Sequence, residues 1–343
     1  MAVSAGNNIN SSEYNDIVTT INTVLGHGSG TSGYGQTTGL AHVAGSNTVD
    51  ITAPQLESLR TTINTANNHQ SASDAAIGQI YSGNIIGADA SNTTTGNSVT
   101  RSSSDTFSID NPANNKGLND FETAANLCNT NKDSFGGTSL STTTVYDYLT
   151  PDLTFTSNWQ QLQAVVQASF AGGYESSNAN GASTTTATQD DHRRHFFNAG
   201  GKVLINTRVT NNSGAKSNDW NTIIEAVGTV TISATGVSAS SGTTSLSYRQ
   251  LDTSYQTILS KSGSSGVYAE NEYLIQARIQ SNGVLQFRIR FNDNDAGDQT
   301  GSGPPEDENV NADIEIRVRH TVPTSGIVVS PATWSIPTAL ASY

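Results

Sequence analysis

Residues 191–209 read DHRRHFFNAGGKVLINTRV, and residues 219–236 read DWNTIIEAVGTVTISATG. This stretch is the densest block of core-forming residues in an otherwise polar chain, and it decides the fold. Residues 198–201 (Asn-Ala-Gly-Gly) predict a turn. Residues 202–209 predict a strand, with Val203, Ile205 and Val209 on one face. Residues 211–214 (Asn-Asn-Ser-Gly) break that strand. Asp219 then caps a short helix in which Trp220, Ile223, Ile224 and Val227 share a side. Gly228 stops the helix, and residues 229–234 form a second strand. The unit is strand, short helix, strand.

The words of this unit carry a resemblance. HFFNAGGKVLINTRV followed by WNTIIEAVGTV resembles a pattern in virion structural proteins of tailed phages, especially marine cyanophages with contractile tails. Two further stretches fit the same group: INSSEYNDIVTTINTVLGHGSGTSGYGQ from Ile9, and DNDAGDQTGSGPPEDENV from Asp293. Together they span the N-terminal region and most of residues 190–320. The resemblance implies a part of the virus particle and brings no catalytic residues with it.

Composition agrees with a β-rich chain of many turns. The 343 residues suggest about two domains. Charged residues make up 13 % of the chain, with 31 Gly, against the usual figure of about 25 % charged. Ser, Thr and Asn fill the difference. Such a surface is polar but largely neutral and suits life in an assembly. The net charge of −13 argues against tracking along phosphates, which depends on Lys and Arg. Cys128 stands alone, so an intrachain disulfide is excluded, as fits assembly in a host cytoplasm. Residues 1–10 lack a basic segment followed by an apolar one, so a secretory leader is not expected. No apolar run approaches the length of a membrane span.

The N-terminal region repeats itself: Thr19-Thr-Ile-Asn-Thr23 recurs as Thr61-Thr-Ile-Asn-Thr65. Asn10 with Glu13, and Thr52 with Gln55, have the spacing of capping boxes. Pro54 fits a first helical turn. Tyr14, Ile17, Val18, Ile21 and Leu25 line one helix face, and Leu56, Leu59, Ile63 and Ala66 line another. Helices this short need cover for those faces. They pack as a hairpin inside one subunit or meet copies of neighbouring subunits, and Tyr14, Ile17, Ile21, Leu56, Leu59 and Ile63 are the candidate assembly interface. Between the helices, residues 26–35 are Gly-rich but lack the G-x-x-x-x-G-K-[ST] pattern, so they predict a wrapping connection and not a phosphate loop.

Residues 75–81 continue the second helix on this reading, and residues 84–111 are polar and read as extended or loop structure. Leu118 to Cys128 predicts a short helix with Phe121, Ala125 and Cys128 on one face, in a connector that touches a neighbour. From residue 141 strands dominate, although Trp159, Leu162, Val166 and Phe170 are spaced for a helix. Leu246–Tyr248 and Tyr255–Leu259 follow. Residues 272–280 and 284–291 predict a hairpin about Ser281-Asn-Gly283. Ile314, Ile316 and Val318 alternate with charged residues, and 327–336 gives a last strand around Pro331.

Chemistry finds little purchase. Asp293-Asn-Asp-Ala-Gly-Asp298, with Glu306, Asp307 and Glu308, offers carboxylates for calcium, but Gly297 is one place early for an EF-hand loop and Pro304 stands where the last ligand belongs. His192 and His195 sit beside Asp190 and Asp191, yet Arg193 and Arg194 between them repel a cation, and zinc needs further ligands. No G-x-S-x-G elbow is present. Paired carboxylates for a glycosidase cannot be placed by spacing. Trp159, Trp220 and Trp334 fall within apolar patterns and read as core.

These readings lead to a mainly β protein: an antiparallel β-sandwich body (141–343) with inserted short helices, a helical assembly module (1–75) and a polar connector (76–140). The expected role is that of a non-enzymatic structural component of a tailed-phage virion in the tail, neck, baseplate or fibre. It would form a homo-oligomer and dock to other virion proteins, with no cofactor, no metal, no nucleic acid and no membrane insertion. The alternatives are a capsid decoration protein or a host-surface adhesin that binds sugar.

Overall fold

The computed structural model describes residues 11–45, 51–75, 77, 98–102, 105–108, 117–137, 146–147, 153–263, 269–294, 309–323 and 326–343. Among them are five α-helices: α1 (Ser11–Leu25), α2 (Ala53–Ser71), α3 (Leu118–Thr130), α4 (Gln189–Asn198) and α5 (Ala215–Val227). The strands are β1 (Ser98–Ser102), β2 (Asp105–Ser108), β3 (Tyr146–Asp147), β4 (Leu153–Phe155), β5 (Gln161–Ser169), β6 (Glu175–Ser177), β7 (Thr184–Thr186) and β8 (Lys202–Ser213). They continue with β9 (Thr229–Ile232), β10 (Val237–Ser238), β11 (Thr243–Thr244), β12 (Gln256–Ser262), β13 (Glu272–Gln280), β14 (Val284–Asn292), β15 (Asn311–Thr321) and β16 (Thr333–Ser342).

Two antiparallel sheets carry the fold. One runs β10-β9-β8-β15-β3, with β4 also on β15, and the other runs β11-β12-β13-β14-β5-β16. Their inner faces meet. The Thr207 hydroxyl on β8 lies 2.7 Å from the Tyr273 hydroxyl on β13, both buried. Trp334 on β16 donates from Nε1 to Nδ1 of His320 on β15 at 2.7 Å. Trp159 and Trp220 pack at 5.2 Å between ring centres, and each meets Phe291 edge-on. The mainly β fold expected from the sequence is therefore present, with helices inserted.

The predicted hairpin forms as read. Asn282 and Gly283 both take positive φ, 63° and 71°. A Cβ on Gly283 would also lie 2.6 Å from Gln189, so glycine is required there twice over. Several local expectations are corrected. Residues 161–169 form a central strand, not a helix. Leu162, Ala164, Val166 and Ala168 alternate inward between β14 and β16, and the additional burial of Val165 on the outer face blurs the period of two. Strand β8 continues through the predicted break at 211–213, because Asn311, Ala312 and Asp313 of β15 pair with those residues. Helix α5 therefore starts at Ala215, and Asp219 lies inside it, not at its cap. Helix α2 stops at Ser71, where Ala72 turns left-handed. Residues 248–250 form a 3-10 turn. The last strand begins after Pro331, at Thr333. Of the expected polar stretch 84–111, only residues 98–102 and 105–108 are described, and they pair as β1 and β2.

The helices pack with the sheets. Gln55 Oε1 accepts from the Thr52 amide at 2.8 Å, so the second capping box is built as spaced; Asn10 of the first lies outside the described residues. The side chains of Phe121, Ala125 and Cys128 on α3 are buried, and α3 packs against α1 and α2. One buried apolar cluster takes in Tyr14, Leu59, Phe121, Trp159, Phe197, Phe291 and Trp334. The expected module 1–75 thus shares its core with residues of the expected body 141–343. Backbone bonds follow the same path: the His27 amide donates to Ser177 O at 2.8 Å, and the His42 amide to Asn180 O at 2.9 Å.

Candidate functional site

The densest polar constellation lies where the Gly-rich loop 26–36 wraps helix α4. That helix was not foreseen, although Thr188-x-x-Asp191 has capping-box spacing. The Thr188 hydroxyl accepts from the Asp191 amide at 3.1 Å, and Asp191 Oδ2 accepts from the Thr188 amide at 2.9 Å. The capped helix then aims donors at the loop. Arg194 Nη1 donates to His27 O at 2.9 Å and to Ser32 O at 2.6 Å. His195 Nε2 donates to His27 O at 2.8 Å, and Asn198 Nδ2 to Ser32 O at 3.1 Å. The loop can pass this close only as glycine: a Cβ on Gly35, at φ 71°, would sit 2.5 Å from His195 Nδ1. The loop turns carbonyls toward cationic and amide donors, the reverse of a phosphate cradle.

The same place holds an Asp–His–Ser arrangement. His27 Nε2 is 3.5 Å from Asp191 Oδ1, and His27 Nδ1 is 2.9 Å from Ser176 Oγ. By distance this resembles a nucleophilic triad. Exposure decides otherwise: Ser176 is 0 % exposed, so no substrate carbonyl reaches its hydroxyl. Asp191 is also committed to Arg194 at 2.9 Å. Burial raises the Asp191 pKa, but the bonds from Thr188 and Arg194 outweigh it and hold the carboxyl well below the usual range. The arrangement pins the loop to the helix.

His192 and His195 face different partners and do not converge on one point. His192 Nε2 donates to Ser330 O at 2.8 Å and Nδ1 accepts from the Gly172 amide at 3.1 Å. His195 Nδ1 accepts from the Tyr174 hydroxyl at 2.6 Å. Burial lowers the pKa of His69, His195 and His320 to about 4 and lowers that of His192 as well. All four are thus neutral in the fold. A group whose folded pKa lies below its unfolded value loses its contribution as pH falls. Stability is therefore expected to be level above about pH 6.5 and to drop from there toward pH 4, where the unfolded chain binds protons that the fold refuses. Denaturant melts at stepped pH check this: the slope should exceed the about 1.4 kcal/mol per pH unit that one histidine supplies. A slope no steeper than one histidine's counts against it.

The other predicted residues are placed as follows. Tyr14, Ile17, Ile21, Leu56, Leu59 and Ile63 are each 3 % exposed or less. Their faces are covered within the chain, where α1 and α2 pack against each other and against α3. Cys128 is fully buried, and burial pushes its thiol up to about 12. Asp293 already holds a cation: Lys216 Nζ lies 2.6 Å from Oδ2, with both side chains 1 % exposed. Residues 295–298 and 306–308 lie outside the described residues. Among the described residues no group of three or more His, Cys, Asp and Glu is placed to hold a metal ion, and no helix is long and apolar enough to cross a membrane.

Open surface hollows lie among the described residues. One of about 320 Å³ is lined by residues including Gln36, Thr37, Tyr174, Glu175 and Val329. Glu175 there accepts from Thr184 at 2.5 Å and Thr186 at 2.6 Å, which hold its carboxyl below the usual range. A lone carboxylate so engaged is not a paired acid and base. Compared with known protein families, curated proteins and solved structures, the chain gives no match.

Proposed function

We propose that the chain is a non-enzymatic structural component of a tailed-phage virion, located in the tail, neck, baseplate or fibre. It works by homo-oligomeric assembly and by docking to other virion proteins, without nucleic acid or membrane insertion. The observation that supports this reading is where the resembling words fall. The stretches GHGSGTSGYGQ and HFFNAGG lie on the two sides of one interlock, loop against α4, in which His195 and Asn198 donate to the carbonyls of His27 and Ser32 of the same chain. On this reading the words that resemble virion proteins build a device that holds the fold rigid, as a particle component requires.

The test is location. Antibody raised to the purified chain is expected to label the tail assembly of intact particles at a fixed copy number. Label spread over the capsid would make it a decoration protein. Binding of the isolated chain to host cells, blocked by sugar, would make it an adhesin. Presence in infected cells but absence from purified particles would sink the proposal.

A further inference from the structure

The outer face of the sheet containing β13, β14 and β5 carries Arg278, Arg288 and Arg290. In register, Arg278 lies opposite Gln286, Arg288 opposite Gln276, and Arg290 opposite Leu274. The arginines are held by neutral oxygens. Arg278 donates to Gln286 Oε1 at 2.8 and 2.9 Å, and Arg288 to Gln276 Oε1 at 2.5 and 2.8 Å. Arg290 donates to the Tyr343 hydroxyl, from Nε at 2.8 Å. Arg278 and Arg288 lie over the Tyr255 ring at 4.3 and 4.2 Å, and Arg290 over Tyr343 at 4.7 Å. Among the described residues none of the three meets a carboxylate. Glu272, at the rim of this face, bonds Ser260 and Asn292 instead.

The other sheet does the opposite. There Arg208 and Arg317 share Glu315, each at 2.6 Å. That outer face thus sets a carboxylate among its arginines, whereas this one holds Arg278, Arg288 and Arg290 pre-oriented on neutral oxygens. Burial, then repulsion from Arg290, lowers the pKa of Arg288 below its ordinary value. A concentrated positive face on a chain of net charge −13 gives like-charged copies a place to meet.

We propose that this face docks the acidic stretch Glu306-Asp307-Glu308 of a second copy of the chain. Residues 295–308 contain five carboxylates and no basic residue. Alternate residues of a strand such as Arg288 and Arg290 repeat at about 6.8 Å, and carboxylates two apart in an extended peptide have the same repeat. Glu306 and Glu308 are two apart. Guanidinium groups already fixed by Gln and Tyr lose little freedom on pairing with carboxylates. This inference deepens the assembly reading by naming its contact, but it requires only that copies meet, in a particle or out of one.

The test is sedimentation equilibrium of the full purified chain. Wild type is expected to self-associate at about 50 mM salt and to weaken at about 500 mM. The variants R278Q/R288Q/R290Q and E306Q/D307N/E308Q should each weaken association by about tenfold or more. The second leaves the arginine face untouched, so its effect is not one of misfolding. R288E/R290E and E306R/E308R should each be defective alone and associate when mixed. A monomeric wild type, indifference to these variants, or a mixture that fails to associate would overturn the proposal. Rescue only when both swaps share one chain would also overturn it, by making the contact internal. So would tighter binding of heparin or DNA than of a peptide covering residues 300–310. Particle location is measured separately, so failure here leaves the virion assignment standing, and failure there leaves this contact standing.

Discussion

Replacing Lys216 with Met lowers the stability of the fold by about 3–5 kcal/mol, the usual cost of leaving one member of a buried ion pair without its partner. The position is built for this. Lys216 is the second residue of α5 and is 1 % exposed, and its ammonium meets the equally buried Asp293 carboxylate just past the end of β14. Beside them, the Asn294 amide donates to buried Asn271 Oδ1 at 3.2 Å, and the Asn311 amide to Ser217 Oγ at 2.8 Å. The pair therefore ties the start of α5 to the strand ends on either side of residues 295–308. With the ammonium gone, water cannot solvate the carboxylate without opening the core. The double variant K216M/D293L, which removes both charges, should recover most of the loss, because the pair itself is worth little against apolar groups of similar size. Urea melts of the three proteins decide. A loss under about 1 kcal/mol in the single variant would mean that Asp293 is neutral or hydrated in the fold. The result bears on the acidic loop too, because Lys216 stands where a calcium ion would have to compete for Asp293.

Much of the fold was legible because its signals were local. The Asn282-Gly283 turn, the alternation of Ile314, Ile316 and Val318, and the Thr52/Gln55 cap each need only a few neighbouring residues to be read. The failures came where tertiary contacts override local pattern. Residues 161–169 carry a period blurred by burial on both faces of a central strand. Residues 211–213 look like a turn and are held extended by β15, which is distant in sequence. The interlock between α4 and the loop was hidden for a different reason: its residues were legible as His, Arg and Asn, but their partners are main-chain carbonyls some 160 positions away. A carbonyl has no letter in the sequence. Arg288 and Arg290 share a face by strand alternation alone, and the register of β13 on β14 adds Arg278 beside them.

Removing residues 1–140 is expected to abolish cooperative folding of the remainder. From the sequence, the alternating strands after residue 141 suggest a body that folds alone; the contacts in the structure point the other way. His195 and Asn198 are 0 % exposed, and the side chain of Arg194 is 14 % exposed. All three donate to carbonyls of residues 27 and 32, which the truncation deletes. Each buried polar group so orphaned costs about 1–3 kcal/mol, more if charged. Deletion also removes the α1, α2 and α3 members of the shared apolar cluster, among them Tyr14, Leu59 and Phe121. Native domains hold only about 5–15 kcal/mol in total, so these losses, added to the lost apolar cover, use up much of the margin. Far-ultraviolet circular dichroism should show no sigmoidal melt for the truncated chain. Adding residues 1–140 in trans should restore one, because the missing carbonyls and apolar faces return with them. A truncated chain that melts sharply within a few degrees of the full protein would show that water replaces those carbonyls at little cost and that the β-rich part is independent.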